Sequence, residues 1–233
     1  GPMRKSDGMG ISKDNMEPVI LVCLGRPDRS DSASITCLKA SEFGAVSRHI
    51  FDEGVGGMEE IDQGGIEWGR SLGSAHWLIN CSSTPLQSEG ARGAWSASMT
   101  FAELEGTKVV MVVDPPKEGF GFTESWGHVI TKIRQIHLLF IHPDALQAIS
   151  EIEATPEEDL LGEIRSRSLV PLVCSYSPDS RAIIEHALGR TNAESESEMD
   201  CLEWLAGFLC ILPLIGSGIV GIEEAATVAG KKK

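Results

Sequence analysis

Polar side chains that could bind a ligand or move a proton follow four apolar segments of this sequence. Carboxylates can accept hydrogen bonds from a substrate or remove its protons, while hydroxyl and amide groups can orient it. If these segments are parallel strands, their carboxyl ends share one edge of a sheet, and the side chains after them line one pocket. The alternative is that they cap turns and helices. The candidates are Asn80, Ser82, Ser83, Thr84, Asp114, Lys117, His142, Asp144, Ser175, Ser177 and Asp179.

Two cysteines, Cys81 and Cys174, each precede a hydroxyl residue at the end of an apolar segment. Two thiols on opposite sides of a substrate could remove and return an α-proton, provided that one is a thiolate. The pair resembles the catalytic cysteines of cofactor-independent aspartate/glutamate racemases, which implies a racemase or isomerase. The alternative is that both are small buried hydrophobic residues.

Metal binding is weakly indicated. The segment Asp28-x-Ser30-x-Ser32 after the first apolar run resembles the magnesium loop of von Willebrand A-type domains, since hard oxygen ligands suit that ion. A capped turn explains the same residues, and the six cysteines and six histidines have no zinc spacing. We therefore predict no metal site.

The apolar segments themselves predict buried strands. Each is four to seven residues long and apolar on both faces, as parallel strands covered by helices are. Between them lie segments with helical spacing, including 58–72, 93–105, 122–135, 145–152, 156–166 and 180–188. This alternation predicts an α/β, Rossmann-like three-layer fold with a mainly parallel sheet of about five to six strands. The predicted strands are 19–24, 76–81, 108–114, 136–141 and 169–174, with 34–38 as a weaker candidate.

The chain organisation that we expect is a flexible leader over 1–16 and a single α/β domain over 17–230. Within that domain, 190–200 is an acidic surface loop and 201–230 forms apolar C-terminal helices. Residues 204–222 carry no charge over 19 positions, close to the length of a membrane span. Pro213 and the following glycines favour two core helices instead, so membrane association is not expected.

A resemblance to the ribokinase-like carbohydrate kinases covers more of the chain. It rests on the strand 19–24 followed by Asp28, the glycine cluster 54–57, the segments 109–115 and 141–145, and the apolar C-terminal helices. In that family a Gly-Ala-Gly-Asp turn supplies an anion hole and the base for a sugar hydroxyl. The resemblance implies that Asp200 is this base, although Glu198-Met199-Asp200 lacks the glycines. It implies a sugar or nucleoside kinase with a degenerate active site.

Composition limits the function classes. The net charge of −14, from 20 basic and 34 acidic residues, disfavours nucleic-acid binding. Cysteines inside apolar runs and a polar N-terminus are typical of a cytoplasmic protein. Because the phosphate-loop, dinucleotide and nucleophile-elbow motifs are absent, no cofactor can be named, and catalysis itself is left open.

Our leading hypothesis is a non-catalytic or weakly catalytic binding or regulatory protein. It would act through a protein partner or a homo-oligomer interface formed by the apolar C-terminal segment. The kinase and the racemase or isomerase are the alternatives.

Overall fold

The computed structural model describes residues 17–26, 28, 30–50, 61–177, 179–196, 198–216 and 218–231. The leader predicted over 1–16, the glycine cluster 54–57 and the first residues of the helix predicted over 58–72 lie outside these ranges.

One sheet of eight strands organises the molecule, in the order β2-β1-β3-β4-β5-β6-β7-β8. The strands from β2 to β6 pair in parallel, and β7 and β8 extend the sheet antiparallel. The predicted α/β, Rossmann-like fold is confirmed, with more strands than expected. The strands are β1 Ile20–Cys23, β2 Val46–His49, β3 Trp77–Cys81, β4 Lys108–Val113, β5 Leu138–Ile141, β6 Leu172–Ser177, β7 Arg181–His186 and β8 Gly189–Glu194.

Helices cover both faces of the sheet, because alternate residues of its central strands enter two separate cores. One core joins the sheet to α1, α7 and α8, and the other joins it to α2 through α6. The helices are α1 Ser32–Glu42, α2 Trp68–Leu72, α3 Glu89–Glu105, α4 Phe122–Thr131, α5 Leu146–Glu153, α6 Glu157–Ser168, α7 Cys201–Ile215 and α8 Ile219–Ala229.

Two predicted elements are wrong. The weak strand at 34–38 lies inside α1, because the side chain of Asp31 caps this helix by accepting a hydrogen bond from the Ser34 amide. The helix at 180–188 is largely β7, where Ala182, Ile184 and His186 are buried in alternation. β8 occupies much of the stretch expected to be an acidic loop, since it pairs with β7 across a two-residue turn.

Helices α7 and α8 form an antiparallel pair of core helices. Pro213 lies inside α7 and has no N–H for the carbonyl of Leu209, four residues earlier. The Trp77 indole donates to that carbonyl instead, at 2.8 Å. Gly221, in the first turn of α8, must be glycine because a Cβ atom there would collide with the Gly216 carbonyl oxygen at the end of α7. No helix in the described part of the chain is long and apolar enough to cross a membrane.

Candidate functional site

A cleft of about 400 Å³ opens where β1, β3 and β4 end. The segments that leave these three strands bring polar side chains to it, and two phenylalanines and two prolines contribute apolar walls. Ligand sites of open α/β sheets lie at this edge. The lining residues are Arg26, Ser30, Asp31, Ser32, Ile35, Ser82, Ser83, Gln87, Asp114, Pro115, Pro116, Lys117, Phe120, Phe122 and Ser125.

Asp114 lies at the centre of the polar contacts in the cleft. Its carboxylate accepts hydrogen bonds from the Ser32 hydroxyl and, at 3.2 Å, from the Ser83 amide. Its own amide donates to the Ser82 hydroxyl at 2.9 Å. The carboxylate, which follows β4, is therefore fixed by groups that follow two other strands, β1 and β3. Such a group is preorganised to accept hydrogen bonds from a hydroxylated ligand.

Asp31 is a second carboxylate in the cleft, and it is buried. One oxygen accepts from the Ser34 amide at 2.8 Å and the other from the Arg26 amide. Burial raises the pKa of Asp31 and outweighs these hydrogen bonds, with a smaller contribution from the negative charge of Asp114. Gly25 permits this arrangement, because a Cβ atom there would lie 2.9 Å from an Asp31 carboxylate oxygen.

Two cations balance the carboxylates at the cleft. The Arg26 guanidinium donates to the Gln87 side chain at 3.0 Å and lies 3.4 Å from the exposed carboxylate of Asp28. Lys117 stands over the ring of Phe120, with 5.6 Å between the ammonium and the ring centroid. The cleft thus combines hydrogen-bond acceptors, positive charge and aromatic surface, a combination that suits a polyhydroxylated ligand with an anionic or aromatic part.

The predicted site residues divide into two groups. Ser82, Ser83, Asp114 and Lys117 line the cleft. The others predicted from the same pattern lie outside its lining; three of them make local bonds within turns, and Asn80 bonds to α3. Asn80 donates to Ser98, Thr84 contacts the Cys81 sulfur, the His142 ring accepts from the Asp144 amide, and Ser177 accepts from the Asp179 amide.

Ser175 is buried and donates to the carbonyl of Ile141 at 2.7 Å. Asn80 is also buried, and its side-chain oxygen has no hydrogen-bond partner among the described residues. The Asn80 side chain points toward α3 and the Ser175 side chain toward β5, so neither lines the cleft.

The two cysteines proposed for proton transfer are fully buried. Burial raises the pKa of both the Cys81 and the Cys174 thiol. Strands β4 and β5 separate them in the sheet. A thiolate at either position is disfavoured, and both side chains belong to the core shared with α7 and α8. The racemase or isomerase alternative therefore gains no support from this geometry.

Asp200 is the exposed N-cap of α7 and accepts a hydrogen bond from the Leu202 amide at 3.1 Å. Burial raises the pKa of the neighbouring Cys201 to about 12, and the charges of Asp200 and Asp144 act in the same direction. Trp204 in the first turn of α7 packs against Phe140 and Tyr176 near the carboxyl ends of β5 and β6, so α7 begins at the same edge of the sheet as the cleft, although Asp200 is not among the lining residues.

The side chains of the Asp28-x-Ser30-x-Ser32 segment do not converge. Asp28 accepts from the Ser30 amide and hydroxyl, at 3.1 and 2.6 Å, whereas Ser32 donates to Asp114. The Ser30 hydroxyl lowers the pKa of Asp28. Over the described residues, no group of three or more His, Cys, Asp and Glu side chains could hold a metal ion.

Among the lining residues that were not predicted as site residues, Arg26, Asp31 and Ser32 make the hydrogen bonds described above. They belong to the polar segment that follows the first strand, so a signal for them was present. This signal was missed because we interpreted 34–38 as a strand. Only a helix that starts at Ser32 makes Asp31 a capping residue and turns Ser32 toward the end of β4.

Comparison with solved structures identifies the fold class. The chain has a Rossmann-like α/β fold, and its structural neighbours are carbohydrate kinases of the ribokinase-like class. No family model and no curated protein matches the sequence.

A Vibrio cholerae O395 fructokinase double mutant bound to fructose, ADP and potassium ion superposes with a TM-score of 0.69 at 14% identity, covering 92% of this chain and 91% of that chain. Fructokinase with bound ATP from Xylella fastidiosa superposes with a TM-score of 0.63 at 9% identity. The match covers 91% of this chain and 76% of that chain.

Aminoimidazole riboside kinase from Salmonella enterica, complexed with aminoimidazole riboside and an ATP analogue, superposes with a TM-score of 0.59 at 15% identity. The match covers 89% of this chain and 75% of that chain. The chain spans only about half of the length of two other Vibrio cholerae fructokinase structures, 55% and 52%. At these identities the likeness concerns the fold alone.

Proposed function

We propose that this chain binds a sugar or a nucleoside in the cleft and transfers a phosphoryl group to one of its hydroxyls. The observation that carries the proposal is the carboxylate of Asp114, held at the carboxyl edge of the sheet by Ser32 and Ser83. The fold likeness to fructokinase and to aminoimidazole riboside kinase supports the same substrate class.

Binding of the acceptor follows from the chemistry of the lining. Sugar and ribose hydroxyls would donate to Asp114 and accept from the Ser82 or Ser83 hydroxyl, and the rings of Phe120 and Phe122 would pack against the apolar face of the ligand. Arg26 and Lys117 would offset negative charge on the transferred group.

Transfer needs a base and a place for negative charge. Asp200 lies at the start of α7, where the helix dipole and the first-turn N–H groups that Asp200 does not cap favour a phosphate. In our proposal it takes the proton of the acceptor hydroxyl as that oxygen attacks the γ-phosphorus of Mg·ATP, and ADP leaves. Without the two glycines, the turn before α7 adopts less readily the backbone conformation that points its amides at an anion, so we expect slow turnover.

The test separates binding from transfer. Calorimetry with fructose, ribose, adenosine and aminoimidazole riboside should find a ligand, and Asp114→Asn should weaken its binding about tenfold or more, because a hydrogen bond to a charged group is lost. Asp200→Asn should leave acceptor binding unchanged and abolish ADP release in a coupled assay with Mg·ATP. Asp159→Asn, an exposed change on α6, is the control for both.

No binding of any tested sugar or nucleoside, or equal binding by wild type and Asp114→Asn, would contradict the proposed acceptor site. Binding without phosphorylated product would instead indicate a ligand-binding protein on this fold, which the missing glycines before α7 favour as the second candidate. Our leading sequence hypothesis of a regulatory protein acting through a partner or an oligomer has no support from the comparisons.

A further inference from the structure

A second cavity lies at the opposite, amino edge of the sheet, far from the candidate site. It has a volume of about 290 Å³ and is enclosed by the first residues of β3, β4 and β6, the turn between β7 and β8, and the α7–α8 pair. A neighbouring cavity of about 310 Å³ shares Trp77, Lys108 and Leu212 with it. Together they form a groove, which we call the amino-edge groove.

The charge of the amino-edge groove is opposite to that of the protein. Its lining contains Lys108, Arg165 and three histidines, and none of the lining residues is Asp or Glu. The chain as a whole carries a net charge of −14. In such a protein an acid-free cluster of bases marks a place where an anion is attracted locally.

Two of these bases, Arg165 and His137, have a donor that can bind a ligand. The Arg165 Nε atom is shielded from solvent and has no hydrogen-bond partner among the described residues. Such a group costs free energy unless something accepts its hydrogen bond. His137 Nδ1 accepts from the Val109 amide at 3.1 Å, so a neutral His137 carries its proton on Nε2, where it can donate.

Helix α8 adds a further positive element. It begins at Ile219, one of the lining residues, and its N-cap Gly218 has no side chain to cap the N–H groups of the first turn. These N–H groups and the helix dipole favour negative charge at this end of the groove.

The rest of the lining is mainly apolar, with an exposed rim and a buried floor. Leu169 and Leu188 at the rim are 64% and 74% exposed, and Ile219 is 39% exposed. Trp77, Leu212 and Ile222 form the floor. Apolar surface next to unpaired bases fits a ligand with an apolar body and an anionic head.

We propose that the amino-edge groove binds a small amphipathic carboxylate, with the carboxylate at Arg165, Lys108 and the start of α8 and the apolar body along Leu188, Leu212 and Ile222. A second copy of this chain is a poorer occupant. In a symmetric pair the same patch meets itself, so the bases of one copy would face those of the other. The site is separate from the proposed kinase cleft and does not depend on it.

The test uses decanoate as the probe and the full chain, with binding followed by calorimetry. Arg165→Gln and Lys108→Gln should each weaken decanoate binding about tenfold or more, and Arg92→Gln, which removes one exposed charge from α3, should not. Leu188→Glu should weaken binding as well. Its control is Leu104→Glu, at a leucine on α3 that is 75% exposed. Both glutamate variants change exposed side chains, so both should remain folded.

Three results would overturn the proposal. The first is that decanol binds as tightly as decanoate and that Arg165→Gln changes the affinity of neither. This result would indicate only an apolar patch. The second is that the protein self-associates through Leu188 and that decanoate does not change this self-association. The third is binding to anionic lipid vesicles without binding of monomeric decanoate. Acceptor binding in the kinase cleft should be the same in all of these variants, so failure of either proposal is visible independently.

Discussion

At the scale of single residues, the candidate site depends on two carboxylates in different surroundings. Asp114 is half-buried and bonded to hydroxyl and amide groups from neighbouring segments, whereas Asp31 is buried and bonded mainly to backbone amides next to it. The first is placed to meet a ligand, and the second holds the start of α1 and the turn after β1 in place. Asp31 therefore affects the site through the position of Ser32.

The pKa of Asp31 gives a prediction for pH. Because the folded pKa is raised, the folded protein binds this proton more tightly than the unfolded chain does. The resulting stabilisation is fully present below the unfolded pKa, about 3.9, and is lost as pH rises through the folded pKa. Asp31→Asn removes this titration. The difference in unfolding free energy, wild type minus variant, should fall with rising pH above about 4 and then become constant, as measured by urea denaturation. A difference that increases with pH would contradict the burial of Asp31.

At the scale of elements, the bond between Trp77 and Leu209 ties the start of β3 to the interior of α7. Pro213 leaves the Leu209 carbonyl without its helical donor, and the indole of Trp77 replaces that donor. The sheet and the α7–α8 pair are joined by this contact at the amino-edge groove.

Trp77→Phe should destabilise the protein by about 1–3 kcal/mol more than the loss of ring volume explains, because the buried Leu209 carbonyl loses its partner. Pro213→Ala restores an N–H four residues after Leu209 and should recover much of that loss in the double variant. A double-mutant cycle of unfolding free energies measures this coupling. Additive effects of the two substitutions would show that the indole does not replace the helical donor.

Much of this element structure could be predicted from the sequence, because strands buried on both faces have a continuous apolar pattern. Strands β1, β3, β4, β5 and β6 have that pattern, and all five were predicted. Strand β2 is short and polar, β7 alternates apolar and polar residues that also fit a helix, and β8 is mostly polar and resembles a loop, so all three were missed. Asp114 and Lys117 lie in the cleft because they follow β4. The contacts of Asn80 and Ser175 depend on which face of the strand each side chain occupies, and strand ends alone do not specify that.

At the scale of the whole molecule, the sheet divides the interior into two cores of different origin. The core over α2–α6 is made from consecutive segments, whereas the other joins α1 to helices from the end of the chain. In the second core the Trp204 ring lies 4.9 Å from Phe208 and 6.2 Å from both Phe140 and Tyr176, measured between ring centroids. This aromatic group packs α7 against β5 and β6 of the sheet.

The aromatic group predicts a strong contrast along one helix. Phe208 is fully buried, so Phe208→Ala should lower the free energy of unfolding by about 3–5 kcal/mol through lost contacts and a cavity. Leu214, on the same helix, is 46% exposed, and Leu214→Ala should change stability by about 0.5 kcal/mol or less. Thermal or urea unfolding measures both. Similar effects at the two positions would mean that α7 does not pack through Phe208.

The division of the two cores has a consequence for synthesis on the ribosome. The cleft residues lie between positions 26 and 125, so the ligand-binding edge can form while later segments are still being translated. The face of β1 and α1 that awaits α7 and α8 stays uncovered until residues beyond 200 leave the exit tunnel. A nascent chain stalled before that point would present a broad apolar face to chaperones, even with its binding cleft already assembled.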